Sequence, residues 1–263
     1  MKQTKSGISG STIKIIAIIA MLIDHIAAAV FDRILISQGL LNANTSIESA
    51  TQFLQDHMVL YTLDSVMRMI GRISFPIFCF LLMEGFLHTH NIKNYIGRML
   101  LFAAASEIPF DLAFSGKVYD FGYQNVFFTL SIGLLVLAGF RMVSKKGERH
   151  PILLLFLHVL ILAAGMGAAL LLKSDYGAYG VLTVALMYLL RKSRVWGLLA
   201  GCTILTVMSL SELTSFIVLL PLQFYNGKRG WDMKYIFYFF YPVHLLILYL
   251  ICKYMGISDI SVI

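Results

Sequence analysis

The sequence predicts an all-α, polytopic membrane protein, a bundle of about nine transmembrane helices in one domain over residues 1–263. Hydrophobic residues make up 59% of the chain and charged residues only 13%, and the mean hydropathy is +0.80. Soluble domains average about 25% charged residues. Because too few polar residues remain to form a water-facing shell, membrane lipid is expected to cover much of the surface.

Apolar segments account for the predicted helices in chain order. The clearest are each about 18–22 residues long, enough to cross the hydrocarbon core: Ile13–Phe31, Met67–Leu87, Tyr95–Phe114, Asn125–Val143, Ile152–Leu172 and Tyr235–Cys252. Basic residues at 191–194 and a weaker break at Ser211–Glu212 divide the remaining apolar stretch. They leave shorter helices at Tyr176–Leu190, Val195–Leu210 and Leu213–Phe224.

Lysine and arginine are distributed unevenly between alternate connections. With the N-terminus in the cytoplasm, every predicted inner connection is basic, and these segments hold most of the 21 lysines and arginines. Because positive charge favours the cytoplasmic side, we expect an N-in, C-out protein of a bacterial inner membrane, with an outer loop at about residues 32–65. The net charge of +7 then reflects topology, and no nucleic-acid partner is predicted.

Ionisable residues inside apolar segments are costly and mark functional interiors. Asp24 and His25 lie roughly 17 Å along the first predicted helix at 1.5 Å per residue. Arg68 and Arg72 are four residues apart near the outer end of the second, where Pro76 is expected to free the Arg72 carbonyl and kink the helix. The structural alternatives are that Asp24 and His25 hold neighbouring helices together, and that Arg68 and Arg72 snorkel to the outer surface.

Carboxylates also lie within the predicted spans. Glu84 is near the inner end of the second helix, and Glu107 and Asp111 share one face of the third, on either side of Pro109. Two carboxylates on one face are expensive to bury while charged, so we expect Glu107 and Asp111 to pair with Arg72 or Arg68. A purely structural salt bridge is the alternative.

His244 lies midway along the last helix, two residues after Pro242. An interior histidine beside a proline kink can bind a ligand or handle protons, or can be a hydrogen-bonded core residue. No zinc, P-loop, dinucleotide or serine-hydrolase motif is present, so no metal is predicted. The three cysteines lie in apolar segments and are expected to be buried as small apolar residues.

Several strings of this sequence resemble the TraX family, named for the F-pilin acetylation protein. They run from the first predicted helix to the last: Ile13–Ile26, Arg72–Phe78 with Glu84–Phe86, Ser106–Asp111, Gln124–Thr129 and Tyr241–Leu245. The lone histidine of the first helix also resembles, more distantly, that of the acyltransferase-3 membrane enzymes.

The resemblance implies acetyl transfer from acetyl-CoA as co-substrate to an amine or hydroxyl acceptor. It makes His25 the expected general base, with Asp24 orienting or charging it and His244 as the second candidate. The acceptor is expected to enter from outside, past residues that the family strings contain: Arg72, Glu84, Glu107, Asp111, Gln124 and Asn125.

The phosphates of acetyl-CoA are expected on the basic inner face, at Lys93, Arg98 or Arg141. The acceptor stays open between a pilin-like peptide, an envelope glycan and a small amine. Two other functions fit the same buried charges: a proton-coupled transporter and a non-catalytic membrane scaffold. A transporter would favour inverted repeats, and no internal repeat is visible in the sequence.

Overall fold

A computed structural model describes residues 7–43, 46–145, 150–232 and 234–263, apart from the side chains of residues 234, 235 and 237. Over these ranges the chain is helical, and its only extended pairings are two isolated bridges, Ile8 with Tyr225 and Gln124 with Ser174. The predicted all-α class is confirmed. The helices are α1 (Gly10–Ile26), a π-helical segment (Ala27–Phe31), α2 (Asp32–Ser37), α3 (Leu40–Ala43), α4 (Ile47–Asp56), α5 (Met58–Gly71), α6 (Ser74–His88), α7 (Ile92–Phe114), α8 (Val126–Lys145), α9 (Pro151–Leu171), α10 (Gly177–Leu189), α11 (Arg194–Met208), a 3₁₀ helix (Leu210–Val218), α12 (Leu219–Gln223) and α13 (Lys234–Tyr254).

Several of these helices are suited to cross a membrane. Within the described ranges, four stretches have the necessary length and apolar composition: Gly10–Ser37, Met58–His88, Val126–Lys145 and Pro151–Leu171. Shorter apolar helices occur at Gly177–Leu189, Arg194–Met208, Leu210–Gln223 and Tyr238–Tyr254. The chain is thus a helical membrane protein, while the count of about nine spans and the N-in, C-out orientation stay predictions.

The first two spans are longer than predicted. The first continues through the π-helical segment to Ser37, and the second begins at Met58. The loop expected at residues 32–65 is therefore shorter and contains the short helices α3 and α4. The prediction ended the first helix before Asp32 and Arg33, but the helix continues through both, because Arg33 is buried and Asp32 lines a cavity.

The expected distortion beside Pro76 is confirmed. α5 ends at Gly71 and α6 begins at Ser74, with Arg72 and Ile73 forming a turn between them. Proline has no backbone N–H to donate to the carbonyl four residues earlier, so the helix cannot continue unchanged through Arg72. Arg72 is thereby placed at the junction of two helices.

The segment predicted as a helix over Leu213–Phe224 has a different geometry. A 3₁₀ helix at Leu210–Val218 follows Ser209 and leads into α12. Glu212, interpreted from the sequence only as a weak break, lies in this 3₁₀ helix and is 1% exposed.

α6 occupies the centre of the bundle, in contact with α1, α8, α10 and α11. Most of its residues are buried. α13 packs against α7 and α1. By contrast, α9 buries only Gly165 and Ala169 among its residues, as expected for an apolar helix that faces lipid. The site described below lies where α1, α5, α6 and α13 meet.

Candidate active site

Two histidines from opposite ends of the chain are in contact. The Nδ1 atom of His25, on α1, lies 2.7 Å from the Nε2 atom of His244, on α13. Their rings are nearly parallel, at an angle of 9°, with centroids 5.0 Å apart. The structure thus brings together both histidines that the sequence singled out.

The hydrogen bonds of this pair determine which nitrogen carries each proton. The Nδ1 atom of His244 is 2.7 Å from the carbonyl oxygen of Phe240. A carbonyl can only accept, so this Nδ1 carries the proton, and Nε2 of the neutral ring must accept from the Nδ1–H of His25. In the neutral pair, Nε2 of His25 is therefore left with a free lone pair.

A cavity of about 500 Å³, called here the histidine cavity, lies beside His25. His25 lines this cavity, whereas His244 does not and is only 4% exposed. His244 thus lies behind His25 as seen from the cavity. The polar and aromatic residues that line the histidine cavity are Asp24, His25, Asp32, Arg68, Arg72, Ser74, Phe75, Phe78, Phe110, Phe114, Asp120, Tyr123, Asp175, Tyr176 and Tyr241.

Asp24 is bonded to an arginine, and the expectation that it orients or charges His25 stays a prediction. Its Oδ2 atom lies 3.0 Å from Nη1 of Arg68, on α5, and it makes no hydrogen bond to His25 among the described residues. Successive residues on an α-helix point about 100° apart, so Asp24 turns toward α5 while His25 turns toward α13. Gly71 allows this approach, because a Cβ there would overlap Asp24.

Arg72 forms a second ion pair at the histidine cavity. Its Nη1 atom lies 3.0 Å from Oε1 of Glu212, in the 3₁₀ helix. The expected pairing of Glu107 and Asp111 with Arg72 or Arg68 is therefore wrong. Arg68 is paired with Asp24 and Arg72 with Glu212. The second pair was not foreseen, because Glu212 is distant from Arg72 in the sequence.

Glu107 and Asp111, on α7, accept hydrogen bonds from the loop before α8, which contains Gln124 and Asn125. Asn125 donates from its backbone and its side chain to Oε2 of Glu107, and its Nδ2 also donates to the Ala103 carbonyl at 2.8 Å. Oδ2 of Asp111 accepts from the backbone N–H of Asp120 at 2.8 Å. None of the four lines the histidine cavity, so they support its wall.

Tyr123 and Asp175 are residues of the cavity wall that the sequence did not point to. The Tyr123 hydroxyl donates to Oδ1 of Asp175 at 2.7 Å. Burial raises the pKa of the Asp175 carboxyl, and the Tyr123 hydrogen bond partly opposes this. Next to them Tyr176 stacks on Phe75 with centroids 3.7 Å apart. The sequence offered only a weak indication of these residues, the adjacent Asp175 and Tyr176 between two apolar segments.

A second cavity, of about 520 Å³, lies toward the start of α1 and is called here the basic cavity. Its ionisable lining residues are Lys14, Glu84, His88, His90, Tyr95, Arg98, Tyr225, Arg229 and Tyr238. Of the expected phosphate-binding residues, Arg98 lines it, whereas Lys93 and Arg141 do not. The Arg141 guanidinium instead lies 5.7 Å from the ring centre of Phe86. Glu84, expected near the acceptor, belongs to the basic cavity.

Within the described ranges, no group of three or more histidine, cysteine, aspartate or glutamate side chains is arranged to hold a metal ion.

Comparison with known proteins gives consistent results. A family model described as TraX protein matches residues 9–252. The chain is also similar to the probable fimbrial assembly protein FimC, serogroup H1, of Dichelobacter nodosus, with 32% identity over 266 residues that cover 91% of this chain and 94% of that protein. No solved structure matches. The distant resemblance to acyltransferase-3 enzymes stays a prediction.

Proposed function

The chain belongs to the TraX family, and from that premise we propose that it is a membrane acyltransferase that moves acetyl from acetyl-CoA to an amine or hydroxyl acceptor. A similar protein is named as a probable fimbrial assembly protein, which favours an acceptor at the cell envelope. A pilin-like peptide, an envelope glycan and a small amine all satisfy the chemistry. We place the protein in the bacterial inner membrane, with the donor inside and the acceptor outside.

The observation that carries the proposal is the contact of His25 with His244 beside the histidine cavity, from which a lone pair on Nε2 of His25 is inferred. His244 holds the other nitrogen of His25 at 2.7 Å, and the Phe240 carbonyl holds His244. A histidine held in one tautomer beside a cavity is suited to remove a proton from a nucleophile. General-base catalysis of this kind contributes about 10²- to 10⁴-fold in rate.

The proposed reaction begins with an acceptor N–H or O–H close to His25. Its proton passes to Nε2 of His25 while the nitrogen or oxygen attacks the thioester carbonyl carbon. The carbon–sulfur bond then breaks, an amide or ester forms, and the proton returns from His25 to the leaving thiolate. Throughout, the Nδ1–H of His25 stays bonded to His244, which keeps the ring in position.

The basic cavity is suited to the donor. Lys14, Arg98 and Arg229 line it together with His88 and His90, and positive groups around a pocket favour nucleotide phosphates. These residues come from the predicted inner ends of helices and inner connections. His25 lies 15 residues after Gly10 along α1, about 22 Å at 1.5 Å per residue. The long flexible arm of coenzyme A suits such a separation.

The first test is thiol release from acetyl-CoA by purified protein in detergent, with a pool of amines and sugars as acceptors. We expect release that needs an acceptor and that His25→Ala abolishes. The control is His158→Ala, because His158 is also a histidine within a helix. It lies on α9, where its Nδ1 bonds the Leu154 carbonyl, and it lines neither cavity. Equal release by wild type and His25→Ala would refute the role of His25. Absence of release with every acceptor, from folded protein that also fails to bind coenzyme A, would favour transport.

A further inference from the structure

The histidine cavity and the basic cavity approach each other at one side chain. Phe78, on the central helix α6, lines both cavities, and among the described residues it alone does so. It is 7% exposed. Because Phe78 lines both cavities, this residue is part of the partition between them.

The neighbours of Phe78 continue the partition. At the start of α8, Val126 lines the histidine cavity and Phe127 the basic cavity. On α13, Tyr241 lines the histidine cavity and Tyr238, one turn away, lines the basic cavity. The Phe127 and Tyr241 rings meet edge to face at 4.9 Å. The named residues of the partition are thus aromatic except for Val126.

The partition lies between the proposed donor site and His25, and the inference rests on the proposed acetyl transfer. A donor whose phosphates occupy the basic cavity can bring its thioester to His25 only by crossing the partition. Without such a partition, the two cavities would form one polar path through the protein.

We propose that Phe78 is the gate between the two cavities: it closes the path between them in the absence of donor, and the donor arm displaces its ring on the way to His25. Phe78 is accordingly a positioning residue. Apolar constrictions exclude water and ions when they are narrow. The gate therefore has two measurable effects, one on leakage through the protein and one on transfer.

The leak is measured first, since it does not depend on acetyl transfer. Wild type and Phe78→Ala are reconstituted into lipid vesicles that contain a pH-sensitive dye, and proton entry is driven by a potassium diffusion potential. We expect a several-fold faster proton entry for Phe78→Ala. The matched control is Phe86→Ala, because Phe86 is also buried on α6 but lines neither cavity. A Phe78→Ala protein no leakier than Phe86→Ala would overturn the gate.

The donor route is tested with Phe78→Trp, which enlarges the ring and keeps the partition closed. We expect a large loss of kcat for acceptor-dependent thiol release, with unchanged binding of desulfo-coenzyme A to the basic cavity, and partial recovery in Phe78→Leu. Unchanged kcat in Phe78→Trp alongside an active wild type would refute the route while leaving the acetyltransferase intact. An inactive wild type with a leaky Phe78→Ala would support the closed path and count against acetyl transfer and the donor route together.

Discussion

The contact between α1 and α5 can be tested by adding a single methyl group at Gly71. A Cβ at this position would come closer than 3.0 Å to the side chain of Asp24, a distance that real Cβ atoms essentially never show. The atom it meets first is the Asp24 Cβ, which is attached to the backbone and cannot move away by a change of rotamer. In Gly71→Ala, α1 and α5 must therefore separate.

The size of the effect follows from two contributions. Overpacking of this kind costs about 1–3 kcal/mol. Separation of the helices also stretches the Arg68–Asp24 ion pair, but these side chains are 30% and 16% exposed, so solvent limits its loss to about 1 kcal/mol or less. The two contributions together are about 1–4 kcal/mol. With about 2–4 °C of melting temperature per kcal/mol for a chain of this size, we expect Gly71→Ala to lower Tm by roughly 2–16 °C.

The assay is thermal unfolding of purified protein in one detergent, followed by a thiol-reactive dye or by aggregation. Gly97→Ala is the control, because Gly97 also lies within a helix but a Cβ there meets nothing within 4 Å. Replacing glycine by alanine at such a site is neutral or stabilising by about 0.5–1 kcal/mol. If Gly71→Ala were as stable as Gly97→Ala, α1 and α5 could not be packed as described, and the Arg68–Asp24 pair would be in doubt.

Two further predictions concern activity. His244→Ala should lower acceptor-dependent thiol release, since His25 loses the acceptor for its Nδ1–H. The double variant with His25→Ala should have the same kcat as His25→Ala alone. Additive losses in kcat would contradict a shared function. Arg98→Ala should raise the KM for acetyl-CoA with little change in kcat, because Arg98 lines the basic cavity. The control is Lys93→Ala, because Lys93 lies on the same helix, about 1.4 turns away, and outside that cavity. An equal rise in its KM would argue against the basic cavity as the donor site.

Hydrophobicity and proline chemistry were enough to predict much of the fold. Long apolar runs became helices because every backbone group in a bilayer must be bonded internally, and Pro76 ended α5 for a local reason. The bounds of the first two spans were wrong because residues 32–65, which begin with Asp32 and Arg33, were interpreted as one outer loop. Whether a charged residue ends a helix depends on whether other parts of the protein bury its side chain, and this depends on how the helices pack.

The candidate site was predictable to a smaller extent. His25 and His244 could be identified because a histidine in the middle of an apolar segment is costly. Their contact could not be deduced, since it joins residues 219 positions apart in sequence. For the same reason Asp24 was assigned to the adjacent His25, although α5 supplies its actual partner, and Glu212 was not recognised as the partner of Arg72.

Arg33 explains how the irregular backbone beside His25 is stabilised. The π-helical segment Ala27–Phe31 follows His25 almost directly, and such segments leave carbonyl groups that need other donors. Arg33 is fully buried, and its Nη1 donates to the Ala29 carbonyl at 2.9 Å and to that of Ala113 on α7. The thiol of Cys252, on α13, also donates to the Ala29 carbonyl, at 3.3 Å.

The same guanidinium extends this connection to the residues after α13. Its Nε donates to the Ile260 carbonyl at 2.8 Å, and the Val262 N–H donates to the Phe114 carbonyl at 2.9 Å, so residues 260–262 are held against the end of α7. Val262 and Phe114 both line the histidine cavity. Arg33, predicted to lie in an outer loop, thus connects the π-helical segment after α1, α7 and the segment after α13. Because α1 and α13 carry His25 and His244, this connection helps to hold the two histidines within hydrogen-bonding distance.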